Sequence, residues 1–189
     1  MREIILASGS PRRKELLAQI GIAFQVIKSN AEEKITKTAP EEIVKDLSCQ
    51  KGSDVAAGIE EGIILGADTI VCLDHEIMGK PKDRADAYQM LERLQGRSHS
   101  VFTGVTLIKK EAGQETEVRS FAVETKVHVH EMSKEEIETY LDTGDPFDKA
   151  GSYGIQGPFA AYVDGIEGDY NNVVGLPIAA VYQELKQMQ

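Results

Sequence analysis

The stretch that most limits the fold is Gly62-Ile63-Ile64-Leu65-Gly66-Ala67-Asp68-Thr69-Ile70-Val71-Cys72-Leu73. An almost unbroken apolar run of this length, bounded by glycine and by the polar Asp74-His75-Glu76, predicts a central strand covered on both faces. Such strands occur where helices flank a sheet. Asp68 and Thr69 interrupt the run. An ionised carboxylate there is costly unless it is paired or bound to a metal, so Asp68 is the first candidate for chemistry. As a general base it would need to be held beside an attacking water.

The chain begins with a second signal. Ile4-Ile5-Leu6-Ala7 predicts a short buried strand, Ser8-Gly9-Ser10 a turn, and Pro11 onward a helix. Ser10 suits the N-cap and Pro11 the first helical position. Arg12 and Arg13 then place two cations where the helix dipole favours anions. Unpaired N–H groups at the same end also attract anions. This turn therefore predicts a phosphate cradle. Arg13, Leu16, Leu17 and Ile20 fall at helical spacing and predict an inward stripe. Arg12 is rotated about 100° from Arg13 and could hold a different part of a ligand.

The remaining chain alternates strands and helices. A strand is expected over 23–27, then a polar loop over 29–38 with Glu32 and Glu33. Pro40 opens a second helix with Ile43, Val44, Leu47 and Lys51 near one face. A turn at 74–76 leads to a basic loop, Gly79-Lys80-Pro81-Lys82-Asp83. A helix with Ala87, Met90, Leu91 and Leu94 inside ends at Gly96. Long strands over 100–108 and 118–129 suggest a hairpin. Ser133 and Glu136 form a capping-box pattern for a helix through Leu141. A glycine-rich stretch over 143–175 reads as loops, and a last helix is expected over 177–186. The whole of 1–189 reads as one α/β domain with a mixed sheet.

Net charge of −10 argues against a general nucleic-acid or anionic-membrane surface and makes local basic clusters more telling. No apolar run approaches the roughly eighteen residues of a membrane helix, and the start lacks a signal-peptide pattern. Cys49 and Cys72 lie in unrelated contexts, consistent with a reduced, cytoplasmic protein. The basic groups Ser10–Arg13, Lys51, Lys80–Lys82 and Asp148-Lys149 could together hold a polyphosphate. Asp68 and Glu33 could bind a divalent cation or activate water, since Mg²⁺ needs only one or two carboxylates beside substrate phosphates. His128 and His130 share a strand face without a third ligand and read as an exposed face. His75 and His99 have no triad pattern around them. Gly151–Gly157 could bring backbone and the Gln156 amide to the edge of a base.

Ala7–Arg13, Gly66-Ala67-Asp68-Thr69, Gly79-Lys80-Pro81, Asp148-Lys149-Ala150-Gly151, Tyr153–Gly157 and Val174-Gly175-Leu176-Pro177 resemble, in order and spacing, the Maf (septum formation) family. The resemblance spans nearly the whole chain. It implies a fold similar to the inosine triphosphate pyrophosphatases: an elongated mixed sheet flanked by helices in two lobes, with a central cleft. It implies hydrolysis of nucleoside triphosphates to the monophosphate and pyrophosphate, with Mg²⁺ or Mn²⁺. Catalysis falls on Asp68, and other site positions on Ser10, Arg13, Glu33, Lys51 and Lys80. Arg12, Thr69 and Gln156 match the branch acting on dTTP and UTP; the branch acting on 7-methyl-GTP resembles Trp, Gln and Glu there. Ser48-Cys49-Gln50-Lys51-Gly52 departs from the family pattern, and Gly52 makes the placement of Lys51 the open point. A homodimer is also implied. The family name leaves a second expectation, a nucleotide-binding regulator of septum formation acting through a protein partner. A pure sensor would need the basic cradle but not the carboxylate.

Overall fold

The computed structural model describes residues 2–188. Its seven strands are β1 (Ile4–Leu6), β2 (Phe24–Val26), β3 (Gly62–Leu73), β4 (Glu76–Met78), β5 (Ser98–Lys110), β6 (Glu117–Val129) and β7 (Val163–Glu167). The helices are α1 (Pro11–Gln19), α2 (Pro40–Ala56), α3 (Arg84–Leu94), α4 (Lys134–Asp142), the short α5 (Tyr170–Val174) and α6 (Ile178–Met188). The strands form one mixed sheet of order β2-β1-β3-β5-β6-β7, with β4 paired to β3. This is the α/β class expected. The long apolar run forms β3 over its full length, and eleven of its twelve residues are buried.

The chain divides into two compact units. The first comprises residues up to Thr69, Thr103–Val123 and residues from Gly175 on; the second comprises Ile70–Phe102 and Glu124–Val174. The chain thus changes unit four times: within β3, within β5, within β6, and between Val174 and Gly175.

In the first unit β1 runs parallel to both β2 and β3, with Ile4 opposite Phe24 and Ile63. Ile5, Ala7 and Ile64 pack with Ile108 of β5 and with Val55 and Ala56 of α2. Helix α2 lies flush on the sheet because two strand positions lack a side chain. A Cβ on Gly66 would fall 2.2 Å from the Ser48 carbonyl oxygen, and one on Gly104 would fall 2.1 Å from that of Val44. Gly52 completes the contact, its N lying 2.8 Å from where a Gly66 Cβ would be. Gly52, which left the placement of Lys51 open, thus lies where the α2 backbone packs against Gly66 of β3, and the helix runs through it unbroken.

In the second unit Asp74 and His75 both adopt positive φ, 52° and 66°. That is the geometry of a tight hairpin turn, and it folds β4 back antiparallel on β3. The Ser133–Glu136 capping box forms as expected and starts α4. The glycine-rich stretch expected to be loops holds three short 3-10 turns (Asp145–Asp148, Ala150–Ser152, Pro158–Tyr162), strand β7 and helix α5. Strand β7 pairs antiparallel with β6, with a bulge at His128/Val129.

Two further expectations change. Ile20 lies one residue beyond α1 and is 38% exposed, because the chain leaves the helix before Gly21, whose φ is 70°. The buried stripe of α1 is thus Arg13, Leu16 and Leu17. His130 falls just past the end of β6. No helix among the described residues is long and apolar enough to cross a membrane.

Candidate active site

In the first unit β1 and β3 are parallel neighbours, so the turn after β1 and the Asp68-Thr69 step of β3 follow paired residues in register, Leu6 with Leu65. Ser10 is the N-cap of α1 but makes no side-chain capping bond, and its N–H donates to the Ser8 hydroxyl at 3.2 Å. The first turn of α1 carries no acidic residue to offset Arg12 and Arg13.

Arg13 is buried, 9% exposed. Its Nε donates to the Gly175 carbonyl (2.8 Å), Nη1 to the Ala67 carbonyl (2.9 Å) and the Ser8 hydroxyl (3.1 Å), and Nη2 to the Thr69 hydroxyl (3.1 Å). These bonds use four of the five N–H groups of a guanidinium. Burial pulls the Arg13 pKa down; the Asp68 carboxylate, and more weakly that of Glu33, oppose this, while Arg12 adds to it. The Thr69 hydroxyl also lies 2.9 Å from that of Thr103 and 3.4 Å from the Gly175 oxygen. The opening turn, the centre of β3 and the Gly175 turn are thus fastened through one side chain.

Asp68 is 8% exposed. Its partner is Lys51, whose ammonium donates to Asp68 Oδ1 at 2.5 Å. The same ammonium lies 3.1 Å from Glu33 Oε1. Lys51 neighbours Gly52, where α2 touches β3, and this places its stem beside Asp68. Glu33 reaches it because the 29–38 loop is fastened along α2. The Gln50 side chain accepts from the Lys34 N–H (3.0 Å) and donates to the Lys34 carbonyl (2.8 Å). Asp54 accepts from the Ser29 hydroxyl and the Asn30 N–H. Lys51 therefore does not snorkel into solvent; it bridges two carboxylates from two other segments.

The first unit brings together Ser10, Arg13, Glu33, Lys51, Asp68 and Thr69, with Arg12 half-buried at the start of α1. Sequence reasoning assigned nothing to Ser8, Gln50 or Thr103. Ser8 stands inside the opening motif and could have been proposed as a partner for Arg13. Gln50 and Thr103 carry no local signal, because their roles depend on segments distant in sequence.

Lys80 and Gln156 belong to the second unit and are both exposed. Their loops are joined there by the Gly151 N–H, which donates to the Gly79 carbonyl at 3.1 Å. Lys149, expected among the basic groups, is instead enclosed in its own turn. Its ammonium donates to the Asp145 carbonyl (2.6 Å) and Asp148 Oδ1 (2.7 Å), and lies 3.0 Å from Asp145 Oδ1. His128 is half-buried rather than exposed as expected, because both its ring nitrogens are engaged, by Ser98 (2.6 Å) and Glu167 (2.8 Å).

Among the described residues no three His, Cys, Asp or Glu side chains converge as a metal site. The donor set open to a cation is the Glu33 and Asp68 carboxylates. Two hard oxygen donors, to be completed by substrate phosphates and water, suit Mg²⁺ or Mn²⁺. Chemically, the unit offers a nearly buried carboxylate, an ammonium touching it, and helix N–H groups with arginines on the adjoining turn. That combination suits water attack on a polyanion.

A model of the family described as Maf-like protein matches residues 3–188. The chain is 52% identical over 188 residues to a dTTP/UTP pyrophosphatase from Bacillus cytotoxicus, covering 99% of this chain and 96% of that protein. It is 48% identical over 201 residues to a protein of the same name from Agathobacter rectalis, covering 100% of this chain and 98% of the relative. Among solved structures, a HAM1 protein from Coxiella burnetii matches with 15% identity and a TM-score of 0.49, covering 99% of this chain and all of that one.

Proposed function

The chain belongs to the Maf-like protein family, and from that premise we propose that it is a nucleoside triphosphate pyrophosphatase acting on dTTP and UTP. Relatives about half identical over their full length carry that name. The observation in this chain that carries the reading is Asp68: a carboxylate 8% exposed in a strand of apolar residues, held by Lys51. A nucleotide sensor would bind phosphates without it.

Ser10, Lys51, Lys80 and the N–H groups at the start of α1 bind the triphosphate. Arg13 adds its charge and its remaining N–H, while its other four hold the site together. Asp68 accepts a proton from a water as the water oxygen bonds to the α-phosphorus. The bond from that phosphorus to the α–β bridging oxygen breaks, leaving the nucleoside monophosphate and pyrophosphate. Cationic groups about the β- and γ-phosphates stabilise the charge that develops on the leaving pyrophosphate. A divalent cation held by Glu33, with Asp68 adjacent, supplies neutralisation of phosphate charge when bound. The Lys51 ammonium has three N–H donors, enough to hold Asp68 and Glu33 and still reach a phosphate. Arg12, Thr69 and Gln156 set the choice of base. The Thr69 hydroxyl is already oriented by Arg13, and Gln156 offers an amide donor and acceptor on an exposed loop. A site built to hydrogen-bond one base edge rejects a mismatched one strongly. We assign these roles to 1–189 acting as a single domain.

The test is a panel of ribo- and deoxynucleoside triphosphates with Mg²⁺ or Mn²⁺, scored for the first product. Pyrophosphate release with dTTP and UTP preferred is expected. Orthophosphate as first product, or no turnover of any nucleotide, overturns the reading.

A further inference from the structure

The second unit contains a group of buried and half-buried polar side chains that the reaction does not use directly. Tyr140 is 2% exposed on the inner face of α4. Its hydroxyl donates to Asp145 Oδ2 at 2.6 Å and accepts from the Gly154 N–H at 3.3 Å. The other Asp145 oxygen pairs with the Lys149 ammonium at 3.0 Å. The relay thus runs from the Gly154 backbone through the phenol to a carboxylate neutralised by a lysine. Burial, with the neighbouring Asp145 carboxylate, pushes the Tyr140 pKa up, so the phenol stays protonated and remains a donor.

The loop backbone rests directly on this ion pair. A Cβ on Gly154 would meet Lys149 Cε at 2.6 Å, and one on Gly157 would meet Asp145 Oδ2 at 3.0 Å. Residues 154–157 therefore wrap around Lys149 and Asp145, with exposed Gln156 on the outer side. Tyr153 anchors the entry to this wrap, its hydroxyl 2.7 Å from His99 Nε2 and its ring 4.6 Å from that of Phe159. A solvated glycine loop would leave an amide at its tip free to wander. This one is fixed to a rigid charged template on its inner side, as a recognition group requires.

We propose that Tyr140, Asp145 and Lys149 are positioning residues for nucleotide selectivity, the ion pair and phenol acting as the former on which the Gln156 loop is moulded. The inference rests on the reading of Gln156 as a base-selecting residue. Lys149 is on this view no phosphate ligand, although it is a lysine in a motif near a phosphate site.

The experiment compares Tyr140→Phe, Gln156→Ala and the double variant. Each is assayed for kcat and KM with dTTP and with dATP, which presents a different base on the same triphosphate. Tyr140→Phe removes one oxygen and keeps the ring, so the fold survives; Asp145→Asn serves as a second variant that keeps the acceptor for Tyr140 and removes the charge facing Lys149. The expected result is a KM for dTTP raised about tenfold in Tyr140→Phe, kcat within about twofold, and a matching fall in the dTTP-to-dATP ratio of kcat/KM. The double variant should lose no more discrimination than Gln156→Ala alone, because the two act through one contact. A ratio unchanged in Tyr140→Phe and Asp145→Asn, while Gln156→Ala lowers it, overturns the inference and leaves the role of Gln156 standing. A uniform fall in kcat for both nucleotides also overturns it. A ratio unchanged in Gln156→Ala overturns the assignment of Gln156 and the inference with it.

Discussion

At the scale of single residues the site turns on how charges are partnered. Asp68 in an apolar strand was legible from sequence as an anomaly that needs a partner. The identity of the partner was not, because Lys51 lies 17 positions away and its direction depends on helix packing. Arg13 shows the opposite case. Its place on the inner stripe of α1 was legible, but its four bonds to Ser8, Ala67, Thr69 and Gly175 required the tertiary structure. Replacing Asp68 by Asn keeps the shape of the side chain and removes its basicity. Turnover of dTTP should fall about a thousandfold, with the nucleotide dissociation constant within about threefold of wild type. Single-turnover kinetics and a binding titration measure the two. A variant with near-normal turnover would remove Asp68 from the proton transfer.

At the scale of elements, what was legible followed periodicity and caps. Helix α2, the inner face of α3, the capping box of α4 and the full length of β3 all carry their signals within a few neighbouring residues. Strands β4 and β7 and helix α5 do not. Each is five residues or fewer, too short for a period to register; the turn before β4 was legible at 74–76, but its positive φ at Asp74 and His75, which turns the chain straight back into a strand, was not. Nor did the sequence reveal why β3 carries a glycine at 66: the reason is the Ser48 carbonyl of α2. Gly66→Ala should therefore destabilise the protein by about 3 kcal/mol, the range for overpacking a close contact, or roughly 9 °C in Tm for a chain of this size. It should also reduce turnover, since it lifts the helix that carries Lys51. Gly79→Ala, where a Cβ would meet nothing within 4 Å, should leave Tm within about 2 °C. Equal thermal shifts for the two would contradict the close-contact account.

At the scale of the whole molecule, a buried histidine sets the response to acid. His99 is 4% exposed. Burial, helped by nearby His128, pulls its pKa from 6.5 down to about 4. Its Nε2 pairs with Tyr153, and its Nδ1 has no hydrogen-bond partner among the described residues. The unfolded chain thus binds a proton at a pH where the folded chain does not. The stability this confers is full above pH 6.5 and declines as pH falls from 6.5 towards 4, by about 1.4 kcal/mol per pH unit. Urea unfolding at pH 7.5, 6.5 and 5.5 should show the decline, and His99→Phe should flatten it. A variant with the wild-type slope would place the acid sensitivity elsewhere.

The division of the chain has a genetic consequence. Each compact unit is assembled from non-adjacent stretches, with junctions inside β3, β5 and β6 and before Gly175. A single crossover between genes cannot add, remove or exchange either unit whole, and a truncation at any of these junctions leaves at least one of them incomplete. The unit with Asp68 and the unit with Gln156 are therefore inherited together.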